Sequence, residues 1–87
     1  MEDRLAIIGI IVEDMDRSQE INDILHQFSN YIVGRMGIPY KTRNVSLISV
    51  IVDAPQNTVS SLSGKLGRIE NVTVSTAYTK AKWPSNE

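Results

Sequence analysis

The chain has 87 residues and a mass of 9.7 kDa, enough for one small domain and not two. Hydrophobic residues make up 41% and charged residues 22%, a globular balance that excludes a disordered tail or a fibrous repeat. There is no cysteine, which removes disulfides, thiolate zinc sites, iron–sulfur ligation and cysteine nucleophiles together.

Arg4 to Val12 is nearly continuous in Leu, Ile and Val, the pattern of a strand flanked on both sides in its sheet. The apolar run from Leu5 is eight residues, too short to span a bilayer. Acidic Glu2 and Asp3 stand where a secretory leader carries basic residues, so a cytoplasmic protein without a membrane segment is expected. Glu13-Asp14-Met15-Asp16 breaks the strand. From Arg17 the period changes: Ile21, Ile24, Leu25, Phe28, Tyr31 and Ile32 share one helical face, with Asp16 or Ser18 as the cap. His26 lies on the opposite, polar face.

A second strand is predicted from about Val33 to Tyr40, and Gly34, Gly37 and Pro39 place it at a sheet edge or a bulge. Val45 to Asp53 reads as a central strand rich in β-branched residues. Ala54-Pro55-Gln56-Asn57 opens a second helix with Val59, Leu62 and Leu66 inward and Gly67 as its C′ residue. Asn71 to Thr79 alternates as a fourth strand. The domain spans residues 4–80, and 81–87 form a polar tail carrying Trp83 and Pro84.

The order β-α-β-β-α-β is that of a ferredoxin-like α+β sandwich: a four-stranded antiparallel sheet with two helices on one face. An internal echo supports it, since Ile11-Val12-Glu13 with Ser18 recurs as Ile51-Val52-Asp53 with Thr58. The other sheet face is left to a partner. Together with the small core and the glycine-rich edge strand, it predicts a homo-oligomer, a dimer or a tetramer.

Charge is unevenly placed. Residues 1–23 hold seven acids against Arg4 and Arg17, while the remainder holds seven bases against Asp53, Glu70 and Glu87. Oligomer patches or solvated faces account for this. The net charge of −1 lacks the basic excess of a duplex reader, so direct nucleic-acid binding is not expected. The competing reading is a DNA-binding transcriptional regulator using Lys41, Arg43, Lys65 and Arg68.

Catalytic chemistry finds no residues. His26 is the sole histidine and no G-x-S-x-G elbow presents a serine. Gly64-Lys65-Leu66-Gly67 lacks the upstream glycine of a phosphate loop and sits at a helix end. Glu13, Asp14 and Asp16 could hold a hard cation, but capping and the helix dipole explain them as well. No catalytic residue, metal or cofactor is assigned. Arg35, inside a glycine-flanked strand, is left to pair with solvent, an acid of another subunit or a ligand anion.

The segment Ile32-Val33-Gly34-Arg35-Met36-Gly37-Ile38-Pro39-Tyr40-Lys41 carries more. With Ile51-Val52-Asp53 and Ser63-Gly64-Lys65-Leu66-Gly67-Arg68, it resembles the iron-only hydrogenase system regulator family. The resemblance covers Arg4 to about Lys80 and implies a small ACT-like regulatory protein found beside hydrogenase maturation functions. The fold is also distantly similar to the effector domain of the nickel-responsive regulator, whose histidine and cysteine ligands have no counterparts here. ACT domains bind small effectors near the first strand–helix loop, between two domains. By position that implies a site at Glu13, Asp14, Met15 and Asp16, closed by Gly34, Arg35, Met36 and Gly37 of a neighbouring edge strand. ACT amino-acid sites usually carry a glycine in that loop, where this chain has Met15-Asp16. The expectation is a non-enzymatic module that senses a small molecule or a protein partner.

Overall fold

Asp3–Val12 forms the first strand, β1. Branched side chains favour its extended backbone. Alternation sends Ala6, Ile8, Ile10 and Val12 to one face, all buried, and Ile7 and Ile11 to the other. The chain then makes one 3-10 turn at Met15–Arg17 and enters a helix, α1, at Ser18–Gln27. The cap is neither Asp16 nor Ser18. The Asp14 carboxylate accepts the Asp16 N–H at 3.0 Å and caps the 3-10 turn, so α1 begins without a side-chain cap bond of its own.

The helical period predicted a helix reaching Ile32, but α1 stops four residues earlier than Tyr31. The Phe28 N–H bonds the Leu25 carbonyl at 3.1 Å and the Tyr31 N–H bonds the Phe28 carbonyl at 2.9 Å, short-range bonds that tighten the chain. Ser29 and Asn30 compete for backbone groups and propagate a helix poorly. Ile32 therefore opens strand β2, Ile32–Tyr40. A register slip between Ile32 and Gly34 leaves Val33 bulged and 66% exposed.

Strand β3, Val45–Pro55, runs past Asp53 because Ala54 is buried in the core opposite Arg4. Helix α2, Gln56–Gly67, buries Val59, Leu62 and Leu66. Gly67 does not serve as a left-handed terminator: it ends the helix itself and Arg68 caps it. The left-handed turn comes later at Asn71, φ 64°, a residue type that tolerates it. Strand β4, Val72–Tyr78, follows.

The computed structural model describes residues 3–80; the tail at 81–87, with Trp83, lies outside the described residues. All strand pairs are antiparallel in the order β2-β3-β1-β4, the ferredoxin-like arrangement, with β1 and β3 central and β2 at an edge. Both helices cover one face, where Ile8, Ile10, Val50 and Val52 meet Ile21, Leu25, Leu62 and Leu66. No helix of the described residues is long and apolar enough to cross a membrane.

The two faces of β1 should respond differently to truncation. Ile8→Ala, at a position with 0% exposure, should cost about 2–5 kcal/mol in urea denaturation. Ile7→Ala, half exposed one residue away, should cost well under half of that. Equal losses would contradict the one-sided core.

Candidate functional site

The face without helices is apolar. In a sheet, residues directly opposite one another share a face, so the register lays this surface out in rows. Ile51, Ile7 and Ala77 form one row; Met36, Ser49, Gly9 and Ser75 the next; Ile38, Leu47, Ile11 and Thr73 the third. Two aliphatic ridges thus flank a trough floored by Ser49, Gly9 and Ser75. Met36 is 62% exposed and Ile38 52%, which is unusual for large side chains on a sheet.

At the end where β1 finishes, this face deepens into a cleft of about 730 Å³. Its floor is Ile11, Val45 and Leu47, and its walls are Glu13 on one side and Tyr40, Arg43 and Asn44 on the other. Two backbone devices place the walls. The Glu13 N–H is held by the Asn71 carbonyl at 2.9 Å, fixing the residue just past β1. Across the cleft, the β2–β3 turn is closed by Arg43 and Asn44 N–H bonds to Tyr40 and Lys41, with Asn44 at φ 55°. The Ser46 hydroxyl donates to the Met15 sulfur at 3.5 Å and ties the loop to β3.

Neither Glu13 nor Arg43 enters an ion pair among the described residues, because all three recorded pairs belong to Arg17. Arg17 reaches Glu20 at 3.0 Å, Glu70 at 3.2 Å and Asp14 at 3.5 Å. The hydrogen bond to Glu20 leads in raising its pKa; burial opposes, and the charges of Asp14, Glu20 and Glu70 add to the rise. Its guanidinium therefore fastens the β1–α1 loop to α1 and to the turn before β4. With Asp14 used up in this clamp and in its cap, the cleft keeps one carboxylate and one guanidinium over an aliphatic floor. Such a site suits a small molecule with both a cationic and an anionic end, or a peptide segment.

A family model described as TM1266-like, iron-only hydrogenase system regulator, matches residues 4–76. The chain belongs to this family. Among solved structures it is similar to uncharacterized protein TM1266 from Thermotoga maritima, at 35% identity and a TM-score of 0.86, over 91% of this chain and 100% of that one. It is also similar to the apo form of CPII from Thiomonas intermedia K12, a nitrogen regulatory PII-like protein. That likeness, 17% identity and a TM-score of 0.58 over 93% of this chain and 95% of that one, concerns the fold alone. No curated protein matches the sequence.

Within one molecule of this hydrogenase-regulator relative, the residues expected at the site divide. Glu13 lines the cleft, Asp14 caps the 3-10 turn, Met15 contacts Ser46 and Asp16 is exposed. Gly34, Arg35, Met36 and Gly37 lie on β2, separated from β1 by the whole width of β3. They also split between faces. Met36 sits opposite Ser49 on the open face, whereas Arg35 sits opposite Val50 on the helix side. There its Nη2 donates to Asn22 Oδ1 at 2.9 Å, over a groove lined by Leu25, His26, Ser29 and Ile32. Arg35 thus meets a neutral amide of its own chain, where solvent, an acid of another subunit or a ligand anion is the expectation from sequence. Tyr40, Arg43, Asn44 and Leu47 are additions. The sequence offers Arg43 only as part of a basic patch, whereas the sheet order sets the β2–β3 turn that carries it beside the end of β1.

The Arg17 clamp is electrostatic and largely at the surface, so it should weaken with salt. Arg17→Met should lower Tm at low ionic strength. The gap from the unmodified protein should narrow in about 1 M NaCl, where screening acts over about 3 Å. A gap that is independent of salt would mean that packing of the side chain, and not its charge, holds the loop.

Proposed function

We propose that this protein is a non-enzymatic, ACT-like regulatory module that binds a small effector in the Glu13–Arg43 cleft and works as a homo-oligomer. The observation that carries the reading is the pairing of an uncommitted carboxylate and guanidinium over Ile11, Val45 and Leu47. Opposite charges set apart over an apolar floor bind both ends of a small polar molecule while covering its carbon skeleton. Membership of a regulator family supports a signalling role.

The oligomer reading rests on edge strand β2, which has no strand on its outer side among the described residues and whose Met36, Ile38 and Tyr40 are exposed. A second copy added there would stand against Tyr40 and close the cleft from the side. Effector occupancy and subunit contact would then be linked, which is how a catalytically silent domain passes on a signal.

A direct DNA-binding role is the weaker reading. Lys41, Arg43 and Arg68 share their end of the sheet with Glu13, Asp14, Asp16 and Glu70, and Lys65 is turned to Gln27 and the Phe28 ring. Interleaved acids offset the phosphate neutralisation from which duplex binding draws its affinity. No salt-dependent mobility shift with operator DNA is expected.

Thermal-shift screening against amino acids, nucleotides and divalent metals tests the effector reading. A ligand present at 100 times its Kd stabilises the native state by about 2.7 kcal/mol. The hit should lose its effect in both Glu13→Gln and Arg43→Ala, while the unliganded Tm of each variant stays near the original. A ligand that shifts both variants as much as the parent binds elsewhere. Sedimentation at micromolar concentration tests the assembly: a mass above 9.7 kDa is expected, and a monomer mass would contradict it.

A further inference from the structure

The open face holds two glycines that a single molecule does not require. Gly34 stands beside Ile51 at the β2 end of the first row, and Gly9 lies in the trough. Neither has a positive φ, so no turn or bulge needs glycine there. Neither is crowded. A Cβ at Gly34 would meet nothing within 4 Å, and one at Gly9 would meet only the Ser75 carbonyl oxygen at 3.7 Å, an ordinary contact. Glycine weakens a strand interior, and one that its own fold does not need marks the close approach of another chain or a ligand.

We infer that a second copy of the chain packs on this face, across a two-fold axis that runs along the trough from Met36 to Ser75. Rotation about that axis lays the first row of each copy on the third row of the other and keeps β2 above β2. The rows then match by size. Gly34 and Ala77, the small members of the first row, receive Ile38 and Thr73 of the other copy. The large side chains meet between them, Ile7 on Ile11 and Ile51 on Leu47. Gly9 comes to its own counterpart on the axis, where the two backbones approach most closely.

Area and charge both suit this occupant. Four strands about 4.8 Å apart, with β2 nine residues long, make a face of about 19 Å by about 30 Å. Laid on itself it covers about 1,100 Å² over both copies, past the roughly 1,000 Å² of a specific contact. The three rows carry no charge, and the charges stand at the ends: Asp53, opposite Leu5, at one, and Glu13 and Arg43 at the other. The axis exchanges the ends. Asp53 of each copy therefore comes to the rim that holds Arg43 of the other, on the β3 side, while Glu13 lies on the β1 side. Such a rim pair adds little affinity but fixes register. The exchange also sets a second depression, about 330 Å³ between Leu5, Ile7, Ile51 and Ala77, over the cleft, which is roofed and not filled. That consequence rests on the effector reading; the contact itself does not, and it leaves the β2 edge free for strand pairing.

The chain has no cysteine, so single-cysteine variants report the geometry without interference. Ser75, on edge strand β4, falls on the axis and faces its own counterpart. Copies joined only through β2 would instead hold their Ser75 residues about 34 Å apart, across eight strands. A bismaleimide that spans about 10 Å, the spacing of packed sheets, should join Ser75→Cys into a covalent dimer at micromolar concentration. Ser61→Cys, exposed on α2 on the helix side, should stay monomeric. Gly34→Leu fills the gap that Ile38 enters, and Ile38→Glu puts a charge into it. Each should cut the Ser75→Cys cross-link at least fivefold, with the far-ultraviolet circular dichroism unchanged. Should Ile38→Glu fail to fold, Gly34→Leu decides, since its side chain enters open space in the single molecule. No cross-link at Ser75→Cys would overturn the proposal even where sedimentation shows a dimer, which would then be the β2 edge pair alone. Equal cross-linking of Ser61→Cys, or a Ser75→Cys cross-link that survives both substitutions, would overturn it too.

Discussion

Strand β1 carries branched aliphatic side chains on both faces, and the chain supplies helices for only one. Everything else in the molecule is arranged around that imbalance. Ala6, Ile8, Ile10 and Val12 point into a dry core closed by α1 and α2, with no polar side chain buried there among the described residues. Ile7 and Ile11 point the other way and remain half exposed. In a domain of this size the core is thin, so the uncovered face cannot be an accident of excess hydrophobicity at no cost. Leaving it bare keeps apolar area in water that burial would otherwise turn into stability.

The same face holds both depressions of interest, one at each end of β1. The cleft beyond Ile11 exists because the loop after β1 is pinned. Asp14 caps the 3-10 turn and leans on Arg17, which in turn grips Glu20 and Glu70. That division of labour among neighbouring acids leaves Glu13 turned to the cleft while Asp14 holds the backbone. Opposite it, the β2–β3 turn brings Arg43 up by virtue of a left-handed Asn44. A carboxylate and a guanidinium come to face one space because two loops end at the same end of one sheet.

Much of this was legible in the sequence. The β-branched run at Val45 and the nearly continuous apolar run from Leu5 marked β3 and β1, the two strands with a neighbour on each edge, although the face that carries Ile7, Ile11, Leu47 and Ile51 has no helix over it. Proline and glycine marked β2 as the edge, where the bulge at Val33 is found. The helix end was misread because periodicity sees only side chains. Phe28, Tyr31 and Ile32 continue the apolar spacing, but the backbone has already tightened at Ser29. The cap was misplaced by two residues for a related reason: a 3-10 turn inserted before α1 shifts the first unsatisfied N–H groups to Asp16 and Arg17. Of the residues that the ACT resemblance implied, Glu13 is the one that lines the candidate cleft. Arg43 was not legible, because its role depends on the strand order bringing a distant turn alongside that loop. Arg35 was expected to seek an acid or an anion, and instead Asn22, on the neighbouring helix, satisfies it with a neutral amide.

The effector proposed for this protein binds at the Glu13 end of the open face. Backbone amide chemical shifts recorded during titration with the strongest thermal-shift ligand test it most directly. The largest changes should fall on Ile11, Glu13, Tyr40 and the stretch from Arg43 to Leu47, with the core amides of Ile8 and Val50 still. Changes centred instead on Asn22, His26 and Arg35, in the groove beside α1 on the helix side of the sheet, would contradict it.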